Sequence, residues 1–596
     1  MGDISTLPTE SLIVIFGKLS AKDLASCHCV CSGWNSLATA PSLWKPLCLS
    51  RWKKWKPSRW DGPVNEGCWS RIYRDRHRLD QEALKALESL PHPKRRQSAL
   101  RSIVSCCGED VEELLFAESR REGPMTLGRR YWAGLAHQKL MAACAAEKLT
   151  LLKGMESPDS LVDEGALVLA RAFDPASGSA WVPGFLDDLA AELRRRAAAL
   201  PAAPDRRELL AMLNRLLFGP RHPSDAAAGA GAGEGEERLP TIPPDGYGLG
   251  LAGNRDNYYD VRNSLLHKVL LRRRGIPISL AVIQCAVAQR CGLRLQAVGM
   301  PCHLLTKLGE AGSPDELFVD CFDGGRIMTR EETFELMATI GLPCSPRFLA
   351  PMKQHEVHER MCANLVHIFR QLEDHRPLWQ VLEVLQAFKP TPEYLLLHAQ
   401  VALYRLGDTE AALSSTERVQ ALGSMDQQIV FPMIAQMQAE ARRIREEHDR
   451  VCGMVSPPPE GLGCRVGDIV RHRRFGYRGV IAGWDVRCMA SEDWKAQMNV
   501  GALSRGELQP FYRVLVDCRD RESQSTYVAQ ENIILAVEEA LGAQPGEVTH
   551  DAEAWEVQNK ELGAHFEGLS VDRDGEFWPH YVPNAFLAAR HPCKAR

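Results

Sequence analysis

Several features that mark common protein classes are missing from this 596-residue sequence. Lys plus Arg number 72 against 76 Asp plus Glu, so no excess charge would draw the whole protein to DNA or acidic lipid. No apolar run reaches the length of a membrane span, and the most apolar long stretch, residues 275–293, is interrupted by Gln284, Gln289 and Arg290. We therefore expect no membrane partner.

The 19 cysteines are scattered, with no CxxC pair and no zinc-finger spacing. The segment His355-Glu356-Val357-His358 is one residue short of HExxH and lacks the i, i+4 histidine pair of a zinc protease. With no secretory signal in front, we expect reduced thiols in the cytoplasm and/or nucleus, and neither a metal nor a cofactor.

Residues 7–44 are amphipathic in the pattern of short helices. Ser20 with Asp23 three residues on predicts a capping box. The first helix has apolar residues at i, i+3, i+4, i+7: Leu12, Ile15, Phe16 and Leu19. We predict three helices, which are too small to bury all of their apolar side chains on one another. A groove on a partner protein would cover the remainder.

The order of apolar, Pro, Asp and Trp positions over residues 1–50 resembles an F-box. The resemblance implies docking on the Skp-type adaptor and, through it, on the cullin–RING scaffold of an SCF ubiquitin ligase. The alternative is a helical hairpin folded against the rest of the chain. The residues expected to bind the adaptor are Leu7, Pro8, Leu12, Ile15, Phe16, Leu19, Leu24, Val30, Cys31, Trp34, Leu43 and Trp44.

Basic and aromatic residues alternate in the next segment, from Arg51 to Lys56, and tryptophans recur at Trp60 and Trp69. Such a pattern can stack on single-stranded nucleic acid. We interpret the tryptophans instead as anchors that hold the first domain on a helical region, residues 51–155.

Composition and periodicity divide the rest of the chain, and the expected fold class is multidomain α+β with a mainly helical middle. We predict an α+β domain, then helical hairpins whose pattern resembles tetratricopeptide packing, and a small β-barrel with a C-terminal extension containing one helix, residues 552–563. A Gly-, Ala- and Pro-rich insertion is expected to be disordered. The α+β domain is predicted at residues 156–345, with the insertion at 219–246, and the helical hairpins at residues 346–450. A linker at 451–463 leads to the barrel at 464–540 and to the extension at 541–596.

The segment DNYYDVRNSLLHKVLLRRRGIPISLAVI, followed by His303 and by FVDCFDGG at residues 318–325, resembles the SirB-type branch of the transglutaminase-like fold. In active members of the wider fold, a Cys at a helix N-terminus is the nucleophile, a strand His is the base, and an Asp orients that His. Here His303 and Asp320 occupy the His and Asp positions, but Ser279 stands at the helix start. We interpret the three as a remnant triad in a non-catalytic domain. The alternative is a hydrolase that uses Ser279, His303 and Asp320.

Three cysteines lie near this candidate site without taking the nucleophile's position. Cys285 is placed in the middle of the helix, and Cys302 and Cys321 precede His303 and follow Asp320. Strand alternation turns these two to the opposite face.

The motif RVGDIVRHRRFGYRGVIAGWD, with QPFYRVLVD and TYVAQENI, covers residues 465–534 and resembles the YccV/HspQ domain. The resemblance implies binding of hemimethylated DNA or a role in protein quality control. Candidate nucleic-acid or ligand contacts are Arg471, Arg473, Arg474, Tyr477 and Arg478. Residues 465–535 contain eleven basic and nine acidic side chains, a weak excess for a DNA-binding module. We therefore expect protein recognition, with DNA as the alternative.

Together these resemblances predict a substrate-recognition subunit of an SCF E3 ubiquitin ligase. It would be a non-catalytic subunit that binds the adaptor and presents unknown protein substrates for ubiquitination and degradation. Proximity to the charged conjugating enzyme would supply the rate, without chemistry by this chain.

Overall fold

The computed structural model describes residues 7–53, 68–157, 161–223, 239–301, 303–423, 427–452, 461–521, 525–541, 552–573 and 576–592. Its contacts divide the chain into two units, one formed by residues 1–140 with 446–596 and the other by residues 141–445. Among the described helices, none combines the length and apolar character needed to cross a bilayer.

The first unit begins with four helices, where three were expected. Ser20 begins the second helix, and its hydroxyl accepts the N–H of Asp23 at 3.2 Å, as predicted. The stretch expected to continue that helix is divided because Cys31 caps a new one, its sulfur accepting the N–H of Trp34. The four helices are α1 (Thr9–Phe16), α2 (Ala21–Cys27), α3 (Ser32–Ala38) and α4 (Pro41–Arg51).

Four more α-helices follow: α5 (Trp69–Ser89), α6 (Pro93–Arg101), α7 (Glu112–Ser119) and α8 (Leu127–Gly154). Trp52 is buried and donates its indole N–H to Asp80 at 3.3 Å, while Trp69 packs against the core of the first four helices. The anchoring role predicted for these two tryptophans is therefore confirmed. Trp55 and Trp60 lie outside the described residues.

The second unit is built around one buried helix and a four-stranded antiparallel sheet. The helix is α13 (Pro277–Arg290), and residues 277–288 of it are all buried. The sheet has the order β3-β4-β5-β6, which leaves β3 at an edge. Its strands are β3 (Leu295–Met300), β4 (His303–Leu308), β5 (Leu317–Asp320) and β6 (Arg326–Met328); two short strands, β1 (Ala252–Gly253) and β2 (Arg274–Gly275), pair separately.

Further helices of this unit come both before and after α13 in the sequence. Before it come α9 (Val162–Phe173), α10 (Val182–Ala198), α11 (Arg206–Phe218) and α12 (Leu266–Arg272). After the sheet come α14 (Arg330–Thr339) and the hairpins α15 (Gln354–Gln371), α16 (His375–Phe388), α17 (Pro392–Tyr404), α18 (Thr409–Leu422) and α19 (Gln427–Cys452).

The insertion expected to be disordered over residues 219–246 is ordered at both ends. The Arg196 guanidinium donates to the carbonyls of Pro243 and Pro244, at 2.7 and 3.0 Å. At the other end, the Pro220 carbonyl accepts the N–H of Gly248 at 2.8 Å. The expectation was wrong for these ends because backbone carbonyls find donors there; residues 224–238 lie outside the described part.

The barrel-like domain is an antiparallel sheet of order β10-β9-β8-β7-β11. Its strands are β7 (Ile469–His472), β8 (Arg478–Asp485), β9 (Phe511–Val516), β10 (Ser525–Ala529) and β11 (Ile533–Leu535), with α20 (Glu492–Gln497) between β8 and β9 and α21 (Ala536–Leu541) after β11.

The C-terminal extension is a β-hairpin rather than a helix. Residues 552–563 form a short 3₁₀ turn and the start of α22 (Leu562–His565), so the helix predicted there was wrong. The hairpin strands are β12 (Phe566–Arg573) and β13 (Glu576–Pro583), followed by α23 (Ala585–Arg590). Phe566 and Tyr581 belong to the same buried core as the barrel strands, which holds the extension on the domain.

Candidate functional site

The twelve predicted adaptor contacts separate into a core set and a surface set. Five are buried, and they form the hydrophobic core of α1–α4 or line it: Leu12, Phe16, Leu24, Leu43 and Trp44. Leu19 and Trp34 are half-buried. The remaining five are exposed: Leu7, Pro8, Ile15, Val30 and Cys31. The helical period identified the apolar face but not which of its residues this small core would use.

The exposed set gains one residue that the sequence reasoning missed. Val14, next to Ile15 on α1, is 66% exposed, and Ile15 is 44% exposed. Leu7 and Val30 are exposed as well. Large apolar side chains left in water beside a completed core are typical of a protein-contact surface. We call Leu7, Val14, Ile15 and Val30 the F-box surface.

Two of the three residues of the remnant triad are brought together. The Nε2 atom of His303 lies 2.9 Å from Oδ2 of Asp320. Ser279, on α13, is fully buried, and its hydroxyl donates to the carbonyl of Asn263 at 2.7 Å. The same hydroxyl accepts the backbone N–H of Ile276 at 3.1 Å. Ser279 thus serves the helix start, at the third helical position rather than as the predicted cap.

Asp320 is held as a carboxylate that orients His303. Burial favours its neutral form, but hydrogen bonds from His303 and from the backbone N–H groups of Phe322 and Asp323 outweigh burial and lower its pKa. Phe322 lies edge-on to the imidazole of His303, with ring centres 6.4 Å apart. The dyad therefore has the geometry of an oriented base.

The cysteines of this region are not activated. Burial raises the pKa of the Cys285 thiol to about 12, and it raises the pKa of Cys321 well above its ordinary value. Thiols in such surroundings are inert as nucleophiles. Cys302 lies outside the described residues. Within the described ranges, no cluster of His, Cys, Asp and Glu is arranged to hold a metal ion.

Most of the predicted arginine cluster on the barrel is engaged by acidic or carbonyl groups. Arg471 forms an ion pair with Glu539 on α21. Arg478 lies 3.6 Å from both Asp517 and Asp520. Ion pairing of this kind neutralises positive charge that would otherwise attract a phosphate backbone.

The other members of that cluster also have partners within the domain. Arg473 donates to the carbonyl of Glu531 at 3.1 Å. Tyr477 is buried and shares a hydrogen bond with Thr526, so its ring cannot stack on a base. Arg474 lies over the ring of Phe475, 5.4 Å from its centre. Phe475 itself is exposed.

An exposed apolar patch lies elsewhere on the same domain. Val486, Met489, Met498 and Leu508 are between 55 and 76% exposed. Three of them, with Trp484, line a shallow cavity of about 610 Å³. The sequence reasoning missed this patch because residues 486–508 follow neither a helical nor a strand period.

Three family models match the chain. F-box-like matches residues 4–50, the transglutaminase-like superfamily matches residues 247–363, and hemimethylated DNA-binding protein YccV like matches residues 464–573. The chain therefore contains an F-box-like domain, a transglutaminase-like domain and a YccV-like domain. All three resemblances predicted from the sequence are therefore confirmed.

Some curated relatives align with nearly the whole chain. F-box only protein 21 from Homo sapiens is 27% identical over 98% of this chain and 91% of its own length, and the Mus musculus protein is 26% identical over the same shares. A UPF0162 protein from Xylella fastidiosa is 49% identical over 15% of this chain and 30% of its own length. No solved structure matches this chain.

Proposed function

We propose that this chain is the substrate-recognition subunit of an SCF-type E3 ubiquitin ligase. Its F-box-like domain would bind a Skp-type adaptor and thereby the cullin–RING scaffold, and its later domains would hold a protein target. The F-box surface carries this proposal. The core of α1–α4 is complete without the four side chains of the F-box surface. These side chains therefore remain in water unless a partner covers them.

The connection between the F-box-like domain and the next helix supports a rigid mount. Arg51, the last residue of α4, donates to Asp80 at 3.0 Å and to the hydroxyl of Tyr73 at 2.8 Å. Asp80 also receives the indole N–H of Trp52. An adaptor bound to α1 would therefore hold α5 in a fixed orientation, which proximity-based transfer requires.

The helical region is in turn joined to the YccV-like domain inside the first unit. The hydroxyl of Tyr131 on α8 donates to Glu561 at 3.0 Å. The backbone also approaches closely, because a Cβ on Gly568 would lie 2.0 Å from the carbonyl oxygen of Pro124. A target held on the YccV-like domain would keep a defined place relative to the adaptor.

Replacing Val14 and Ile15 together by Asp tests the proposal. We expect the variant to lose co-purification with the adaptor and cullin while keeping its folded circular dichroism spectrum. Leu12→Asp is unsuitable because Leu12 is buried in the core. The matched control is Leu372→Asp, which changes an equally exposed apolar residue far along the sequence and should leave adaptor binding intact. Adaptor binding by the double variant would refute the proposal.

A further inference from the structure

A cavity of about 700 Å³ lies in the second unit, between α13, the edge strand β3 and residues 351–357. This volume is within the range of sites that bind small molecules or peptide side chains. Its floor is apolar and includes Ile278, Ala281, Val282, Leu295, Ala297 and Leu304. His303 and Asp320 do not line it, so the cavity is separate from the dyad.

The rim of this cavity carries positive charge that no described residue neutralises. Arg294 and Lys353 are exposed at the rim, and neither side chain has an acidic partner in the described part of the chain. The acidic residue at the rim, Glu156, is already engaged, because its carboxylate lies 2.5 Å from Nδ1 of His355 and accepts the N–H of Gln354. The rim therefore favours an acidic ligand.

The edge of β3 offers backbone groups to the same cavity. Ala297 on β3 accepts the N–H of Met352 at 2.8 Å, so its carbonyl faces away from β4. Backbone groups of alternate residues in an antiparallel strand face the same side, so those of Leu295 face outward too. No strand in the described ranges pairs with β3 at Leu295 on that side. An open strand edge is a binding site for an extended peptide.

We propose that this cavity binds an extended segment of a target protein. The segment would place an apolar side chain on the cavity floor and an acidic residue beside Arg294 and Lys353. Its backbone would pair with Leu295. A fatty acid satisfies the floor and the charge but leaves the N–H and C=O of Leu295 unpaired, so the peptide is the better occupant. The identity of this segment as part of a ubiquitination target rests on the proposed function.

Selection from phage-displayed random 12-residue peptides tests the proposal on the full chain. Counter-selection uses Gln289→Trp, which places a large ring in the cavity from a half-buried position on the face of α13 that lines it. We expect enriched peptides to share an apolar residue next to an acidic one. A synthetic peptide of that consensus should bind in fluorescence anisotropy and should lose binding to Gln289→Trp.

Two sets of variants then separate charge from backbone recognition. Arg294→Glu with Lys353→Glu should weaken binding of the consensus peptide by about fivefold or more. The matched control is Arg326→Glu, an exposed arginine on β6 at the far edge of the same sheet, which should have no effect. Two N-methylated forms of the peptide are then compared, one methylated on odd-numbered and one on even-numbered backbone nitrogens. One of the two should lose binding, because its blocked N–H groups are those that face Leu295.

The proposal would be overturned by an absence of peptides that prefer the wild type over Gln289→Trp, by a basic consensus, or by full binding of both N-methylated peptides. If no peptide binds but dodecanoate binds saturably, the cavity is a fatty-acid site, and this outcome would overturn the proposal as well. The Val14→Asp with Ile15→Asp variant should bind the consensus peptide normally. Failure of adaptor binding and failure of peptide binding are therefore distinguishable.

Discussion

Ser279 donates its hydroxyl proton to the carbonyl of Asn263, not to His303. Asn263 is itself fully buried, and its amide donates to the carbonyls of Asn257 and Tyr258 at 2.7 and 3.1 Å. The hydroxyl is thus one member of a buried network that shapes the loop before α12. A nucleophile needs a base within hydrogen-bonding reach, and the bonds of Ser279 lie with main-chain groups instead.

We therefore expect Ser279→Ala to destabilise the protein rather than to inactivate an enzyme. Loss of the hydroxyl leaves the buried N–H of Ile276 without its acceptor, which costs about 1–3 kcal/mol of unfolding free energy. Urea unfolding measures it, with Ser414→Ala, an exposed serine on α18, as the control that should change little. A fluorophosphonate probe should not label the wild type; labelling that disappears in His303→Ala would establish a hydrolase.

The resemblance to the transglutaminase-like fold predicted that His303 and Asp320 would act together, and neighbouring strands of one antiparallel sheet bring them into contact. The F-box surface was only partly predictable. Leu12 and Ile15 share a helical face, yet one is in the core and the other is in water. Periodicity defines a face about one hundred degrees wide, whereas the packing of α2–α4 decides which part of that face is covered.

The hairpin β12–β13 was missed for a different physical reason. Its register shifts between Phe566 and Gly568 and again between Ser570 and Asp572. Each irregularity moves the following side chains to the other face, so the strands lack the strict alternation by which a strand is detected. The same irregularity hid Phe566, a large core residue of the domain, from the sequence reasoning.

The hairpin is held on the barrel by a buried ion pair. Arg573 donates to Asp468 at 2.8 Å, and Asp468 is almost fully buried. Arg573→Ala removes the counter-charge of that carboxylate, while the N–H groups of Arg465 and Trp578 still donate to it, so we expect a loss of about 1–3 kcal/mol in unfolding free energy. Urea denaturation followed by tryptophan fluorescence measures this loss. Arg505→Ala, at an exposed site on the same domain, should be neutral; equal effects of both changes would contradict this role.

Stability of the first unit should fall on acidification because the half-buried His565 is held as a neutral ring. Burial, followed by the nearby Arg513, Arg96 and Arg590, lowers the pKa of His565 to about 4, although Glu561 opposes the shift. The unfolded chain binds this proton near pH 6.5. The contribution is therefore complete above about pH 6.5 and is lost as the pH falls toward 4.

His565→Gln should flatten that part of the stability profile. Thermal unfolding between about pH 8 and pH 5 would show a smaller decrease in melting temperature for the variant than for the wild type. The value at pH 8, where the ring is neutral in both folded and unfolded chains, separates the packing cost of the substitution from the titration. Parallel profiles for the two proteins would contradict the assignment.

The YccV-like domain should not bind DNA through its arginine cluster. Arg471 and Arg478 already face carboxylates, and Tyr477 is buried. Fluorescence anisotropy with a hemimethylated duplex should show no binding by the wild type even at low salt. Glu539→Gln with Asp520→Asn releases part of the charge and should give weak binding that decreases as salt rises. Tight, steeply salt-dependent binding by the wild type would instead make this domain a DNA reader.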